Sequence, residues 1–327
     1  MKQSVLRYFL FTAVAACVAN PAAAQTTDYP NRPVRLIVPT GAGGGIDIVA
    51  RAIAQKLSDA WGQQVIADNR PGANGIIGME AVARSKPDGY TLSASYTSPL
   101  TINPSVYKSL PYDALRDFVP ITQGVSNVMV LVVNPSLPAR SVKELVALGK
   151  SRPGGLSYGS GGIGNVGHLA SELLCIEAGV KMVHVPYKGE PPAVTNLLSG
   201  QHMLMFVTSA SVNAHIQARR LRLLATGGER RAALYPETPT MNETGYPKVA
   251  VTGWLGLLAP AGTPPEIVQK IQREAARGLR SPELAERLAT LGAEPVGSTP
   301  DEFATFIKTE AEKWTRVVRA AGLYQSQ

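Results

Sequence analysis

Apolar residues in this chain follow two alternating periods. "VRLIVP" (34–39) is a short, largely apolar run of strand length, and "IDIVARAIAQKLSDAWG" (46–62) puts Ile48, Val49, Ala52, Ile53, Leu57 and Trp61 on one helical face. "QQVIAD" (63–68) predicts a second strand and "GIIGMEAVARS" (75–85) a second helix, entered through "RPGANG". "YTLSASY" (90–96) is a third strand, opened by the turn "KPDG". Strand, helix, strand, helix, strand predicts a parallel sheet wound by right-handed crossovers.

A second block of the same kind begins near Asn127. "VMVLVVNP" (128–135) reads as a strand, and "SVKELVALGKS" (141–151) as a helix in which Ser141 and Glu144 have the capping-box spacing. "LSYGS", "NVGHLASELLCIEAG", "MVHVPY", "PPAVTNLLSG", "HMLMFV", "AHIQARR" and "LRLLATG" continue the alternation as far as Gly227. After a Pro-rich loop, "VTGWLGLLAP" (251–260) is one more strand, and helices are predicted over 264–280, 281–292 and 299–322. No solenoid period is present. The opening motif does return once: "LIVPTGAGGGIDIVARAIAQKL" and "LSYGSGGIGNVGHLASELL" are each strand, glycine loop, helix. Two wound sheets with a glycine loop at a strand's carboxyl end predict two lobes facing a cleft, where ligands of open α/β sheets sit.

The 327 residues, 45% hydrophobic and 17% charged, suit an ordinary globular chain of about two domains. The first stretch changes that picture, since it reads as a leader rather than fold. Lys2 and Arg7 form a basic n-region, Tyr8 to Ala16 a short apolar core, and Ala22-Ala23-Ala24 a cleavage site. "VAAC" offers a second processing route, with Cys17 as a lipidated first residue. Cleavage after Ala24 leaves Cys175 as the one cysteine, on a helix face, so no intramolecular disulfide or Cys-based metal site is expected. Removing Lys2 and Arg7 takes the formal charge from +8 to +6. The basic residues are scattered, without aromatic interleaving, which points to small anions rather than nucleic acid.

The glycine loops fit neither familiar phosphate motif. Neither contains the lysine of a phosphate loop, and Gly41-x-Gly43 lacks the third glycine of the dinucleotide fingerprint. "GLSYG" (155–159) matches a nucleophile elbow, but Ser157 falls inside a predicted strand instead of on the turn after it. His168, His184, His202 and His215 have no metal-binding spacing, and His168 reads as a packing or locally bonded residue. What remains is anion recognition. A helix N-terminus offers unpaired N–H donors and about half a positive charge, and glycines let a ligand approach the backbone. Asp47 stands in tension with a bound carboxylate and hints at a ligand amine or an intervening water.

The stretches "YPNRPVRLIVPTGAGGGIDIVAR", "VIADNRPGANGIIGMEAVARSKPDGYTL", "HVPYKGEPPAVTNLLSGQ", "PETPTMNETGYP", "GWLGLLAPAGTP" and "EFATFIKTEAEKWTRVVRAAG" together resemble the Bug family, the solute receptors of tripartite tricarboxylate transporters. The resemblance spans the mature chain and implies an α/β fold of the type II periplasmic binding protein kind: two doubly wound lobes joined by a two-segment hinge. Residues 1–24 would be the signal peptide, 25–126 with 253–327 one lobe, and 127–252 the other, hinged near Gly124–Val128 and Val251–Leu255. It implies a first-lobe wall of Thr40, Gly41, Gly43, Gly44, Gly45 and Asp47 with Tyr96, Thr97 and Ser98. The second-lobe wall would hold Ser160, Gly161, Gly162, Gly164, Asn165 and His168, then Tyr187, Lys188, Gly189, Pro192, Ala193 and Thr208.

The chain departs from the family pattern at several positions. Thr40 replaces an aromatic residue, Ile46 a small or hydroxyl residue, Asn165 a serine or threonine, and Asn196 and Met203 aspartates. The expectation is a monomeric periplasmic receptor without cofactor, metal or catalytic residue. It takes a dicarboxylate, tricarboxylate, acidic amino acid or aromatic acid and passes it to integral-membrane transporter subunits, with no nucleic acid partner. The alternatives are a receptor that signals to a sensor partner and a serine hydrolase built on Ser157.

Overall fold

The computed structural model describes residues 29–327. The leader, with Lys2, Arg7, Cys17 and the Ala22–Ala24 site, lies outside the described residues.

The chain opens as β1 (Val34–Val38), α1 (Gly45–Trp61), β2 (Val65–Asn69), α2 (Ile76–Ala83) and β3 (Thr91–Tyr96). The strands β2, β1 and β3 pair in parallel in that order. Helix α1 forms because its apolar stripe is continuous: Val49, Ala52, Ile53 and Leu57 are all buried against the sheet. Gly62 in the left-handed region ends it, a conformation that Gly adopts without a Cβ penalty. After β3 the chain makes a π-helical turn (Ser98–Ile102) and the short α3 (Asn103–Val106). Next comes β4 (Phe118–Val133), a strand of 16 residues.

The second block is α4 (Val142–Ser151), β5 (Ser157–Ser160), α5 (Val166–Ala178), β6 (Val183–Pro186), α6 (Glu190–Leu198), β7 (Leu204–Thr208), α7 (Ser209–Gln217) and β8 (Arg222–Thr226). The strands β7, β5 and β6 are parallel neighbours. The chain then returns through β9 (Thr252–Pro260), α8 (Pro265–Leu279), α9 (Pro282–Thr290), β10 (Ala293–Pro295) and α10 (Pro300–Ala320).

The sheets are mixed rather than wholly parallel: β9 and β10 run against the strands of the first sheet, and β4 runs against those of the second. β9 is antiparallel to both β3 and β4. The first part of β4 pairs with β9 and β10, whereas Met129–Val133 pairs with β7 on one side and Val130–Val133 with β8 on the other. Val128 is the last residue paired to β9 and Met129 the first paired to β7. One strand therefore belongs to two sheets and changes allegiance at a single peptide bond. The hydrophobic pattern predicted only the second part. The first part carries Pro120 and Gly124 and is broken by two bulges, which is where a strand tolerates proline.

Each sheet is covered on both faces. Val38, Ile53, Leu92 and Leu255 belong to one core cluster of the first lobe, and Ile37, Met79, Leu258 and Phe303 to another. Leu131, Leu169 and Phe206 represent one cluster of the second lobe, and Val130, Leu197 and Val207 the other. Helix α10 straddles the two. Phe303 and Ile307 near its start sit in a first-lobe cluster, while Trp314 and Val318 near its end pack with Leu169 and Ile102. Its N-terminus has the capping box that the α4 sequence only approximates: Thr299 and Glu302 bond reciprocally. At α4 the Ser141 hydroxyl accepts from Glu144 N as expected, but the Glu144 carboxylate accepts from Arg140 N instead of from the cap residue. Helix α7 begins five residues ahead of the predicted 214–220 segment, directly on β7.

Candidate functional site

The carboxyl ends of β1, β3, β5, β6 and β7 converge between the lobes on an inner chamber of about 40 Å³ that opens into a groove of about 610 Å³. The chamber wall includes Thr40, Gly44, Gly45, Tyr96 and Thr97 from the first lobe and Gly161, Asn165, Gly189 and Thr208 from the second. Gly41, Gly162, Tyr187 and Lys188 line the outer groove. The two glycine loops thus face one cavity, as their pseudo-repeat predicted.

The α1 loop is shaped by Asp47. Its carboxylate accepts from Gly43 N at 2.9 Å, Asn69 Nδ2 at 2.9 Å and Arg51 Nε at 3.1 Å. Burial alone would raise the Asp47 pKa, but these bonds and the Arg51 charge hold it below the ordinary carboxylate value. Asp47 is buried behind the wall and holds the loop; it lines neither cavity. Gly43 is exposed and lines neither cavity.

His168 holds the second loop in a similar way. Its Nδ1 accepts from Gly164 N at 3.1 Å, and its ring stacks on His184 with centroids 3.9 Å apart. Ser160 Oγ bonds His184 Nε2 at 2.7 Å and Gly162 O at 3.1 Å. Burial pushes His168 down to about 3, helped by the His184 charge, and His184 to about 4, so both rings are neutral at pH 7. Ser160, Gly164 and His168 support the wall without lining it, as does Ser98, which is buried with its hydroxyl unpartnered. Pro192 and Ala193 lie within α6 and line neither cavity; Ala193 is core. Ser157 opens β5 in register with Val183, so no elbow turn surrounds it.

Of the first-turn amides that have no hydrogen-bond partner among the described residues, Ile46 N on α1 and Val166 N on α5 belong to residues that line the inner chamber. Each helix start has only a minimal cap: Gly44 supplies none from a side chain, and Asn165 Oδ1 accepts from Gly167 N at 2.8 Å. Two positive helix ends therefore meet across one small space, a place for an anion.

The lobes are closed on each other. Gly45 N donates to Ser211 Oγ at 2.8 Å, Ser209 Oγ to Leu291 O at 2.7 Å, and Asn213 Nδ2 to Thr290 O at 2.9 Å, all across the cleft. The sequence did not single out Glu190, Met129, Val166, Gly253 and Trp254 on the chamber wall, nor Ala73 to Gly75 on the groove wall. The second set carried a usable signal: "RPGANG" is a third strand-to-helix turn, with Gly72 and Gly75 at positive φ. Among the described residues no group of three His, Cys, Asp or Glu side chains is placed to hold a metal, and no helix is long and apolar enough to cross a membrane.

Comparison with known proteins follows the same lines. A family described as "Tripartite tricarboxylate transporter family receptor" matches residues 49–323. Protein BugT of Bordetella pertussis (strain Tohama I) is 40% identical over 314 residues, covering 96% of this chain and 95% of its own. Among solved structures, R. palustris Rpa4515 with adipate superposes with a TM-score of 0.88 at 34% identity, covering 90% of this chain and 99% of that one. MatC from Rhodopseudomonas palustris with bound malate gives a TM-score of 0.84 at 28% identity, covering 89% of this chain and all of its own (100%).

Proposed function

The chain belongs to the tripartite tricarboxylate transporter receptor family, a family of non-enzymatic solute receptors, and from that premise we propose that it captures a small organic acid in the periplasm and hands it to a membrane transporter. The carrying observation is the pair of unpartnered amides, Ile46 N and Val166 N, that line one chamber from opposite lobes. Adipate and malate in the two related structures support a carboxylate as the group they hold. Arrival of the ligand would tie the lobes together through contacts that neither lobe makes alone, so bound ligand favours the closed form.

Residues 25–126 with 253–327, and 127–252, would move as the two lobes, turning where β4 passes from Val128 to Met129 and where the chain enters β9 near Val251. The leader at 1–24 would carry the chain to the periplasm. A thermal-shift screen of carboxylates tests the reading, because a ligand at a hundred times its Kd adds about 2.7 kcal/mol to stability. The expected result is a shift with at least one small carboxylate and none with a neutral isostere. Growth on that acid as sole carbon source should then require the protein; growth that is indifferent to its loss would remove the transport step.

A further inference from the structure

The inner chamber has one charged side chain on its wall, and it is an acid. Glu190 opens α6, and no Lys, Arg or His lines that chamber among the described residues. Its Oε2 accepts from Thr208 Oγ1 at 2.7 Å and Ser211 Oγ at 2.6 Å, while Oε1 has only a 3.3 Å contact from Thr208 N. A carboxylate offers about four lone-pair sites, so Oε1 keeps capacity for another donor. Gly45 N, donating to Ser211 Oγ at 2.8 Å, fixes this cluster across the cleft. Burial pushes the Glu190 carboxyl above its ordinary value, and the neighbouring donors, Ser211, Thr208 and the nearby Gly45 amide, only partly offset it.

A ligand end in this chamber meets donors and an acceptor together. A bare carboxylate satisfies Ile46 N and Val166 N but sets acceptor oxygens against the Glu190 oxygens, with no side-chain cation on the chamber wall to compensate. Asp47, the residue whose charge first suggested a ligand amine, has its oxygens occupied by Gly43, Asn69 and Arg51. Glu190 has the position and the free acceptor that Asp47 lacks.

We propose that Glu190 sets the ligand class: the end that enters the inner chamber carries an N–H donor, an ammonium or a primary amide, beside the oxygens that the two helix ends bind, and a plain dicarboxylate is rejected. The inference rests on the carboxylate-receptor reading above and narrows it.

The test is calorimetry and thermal shift on the whole mature chain with three matched sets. These are succinate, glutarate and adipate; their monoamides; and their α-ammonium forms, aspartate, glutamate and 2-aminoadipate. At least one nitrogen-bearing member should bind about tenfold or more tightly than its parent diacid, the weight of one charge-assisted hydrogen bond. Glu190→Gln, which removes the charge and turns one acceptor oxygen into an N–H donor, should reduce that advantage, most for the ammonium forms, and raise binding of the parent diacid. The amide and ammonium arms separate a donor requirement from a charge requirement. A wild-type protein that binds a parent diacid as tightly as its partners overturns the assignment of Glu190 and leaves the receptor reading standing. An unchanged ratio in Glu190→Gln also overturns it. Failure of every acid, in all three sets, overturns both. The wild-type ratio decides the matter even if the variant folds poorly.

Discussion

At Gly45 the space that a methyl group would fill is already occupied by the other lobe. A Cβ there would lie 2.3 Å from Thr208 Oγ1, 3.1 Å from the Ala210 Cβ and 3.2 Å from Ser211 Oγ, with nothing nearer from its own lobe. Gly45→Ala should therefore fold normally and fail to close, losing at least about tenfold in ligand affinity, since the cost of a shift that size is over 1.4 kcal/mol. Retained affinity by calorimetry would show that the lobes need not meet there. Gly44 is more tolerant at the first atom, its Cβ position lying 3.6 Å from Pro191 Cδ. Asp47 acts through loop shape. Asp47→Ala releases Gly43, Asn69 and Arg51 at once, and urea denaturation should show a loss of about 1–3 kcal/mol. The Asp47 pKa is held below its unfolded value, so its contribution is present above that value and fades as pH falls through the folded one.

The elements behind the second loop predict an acid weakness. His168 and His184 titrate near 3 and 4 in the folded chain and at 6.5 when unperturbed. Above pH 6.5 neither state is protonated and the rings contribute nothing to the pH dependence. Below it the unfolded chain binds protons that the folded chain refuses, so stability drops by up to about 1.4 kcal/mol per pH unit for each ring. Urea midpoints measured from pH 7 to 4.5 should fall steadily, and His168→Asn, which keeps an acceptor for Gly164 N, should flatten the decline. A pH-independent midpoint would contradict the burial of the pair. The alternating strands and helices were legible because each buries one face, and α1 and α5 with their glycine loops stood where the pattern put them. The first part of β4 was not, because Pro120 and Gly124 interrupt it and its burial comes from β9, far along the chain. The chamber was half legible. Gly44, Gly45 and Asn165 announce helix starts, but Glu190 reads locally as a first-turn acid on α6, and only the fold brings Thr208, Ser211 and Gly45 around it.

At the scale of the molecule, closure depends on two sheets that share a strand. With β4 common to both, the proposed hinge would twist the lobes about the Val128–Met129 peptide without sliding β4, since each part is held by ladders on both sides. Small-angle scattering should give a smaller radius of gyration for the liganded protein than for Gly45→Ala under the same conditions; equal radii would mean that the cleft does not open. Helix α10 adds a second restraint. Its 21 residues make a rod of about 31 Å, seated by Phe303 in one core and by Trp314 in another. The Trp314 indole donates to Glu310 Oε2 at 2.9 Å, so the ring is fixed to its own helix. Such a rod can roll in its sockets but cannot lengthen. Under the hinge motion proposed above, the jaws would swing like a gate on a bar, with the width of the gape capped by how far one indole turns before its socket lets go.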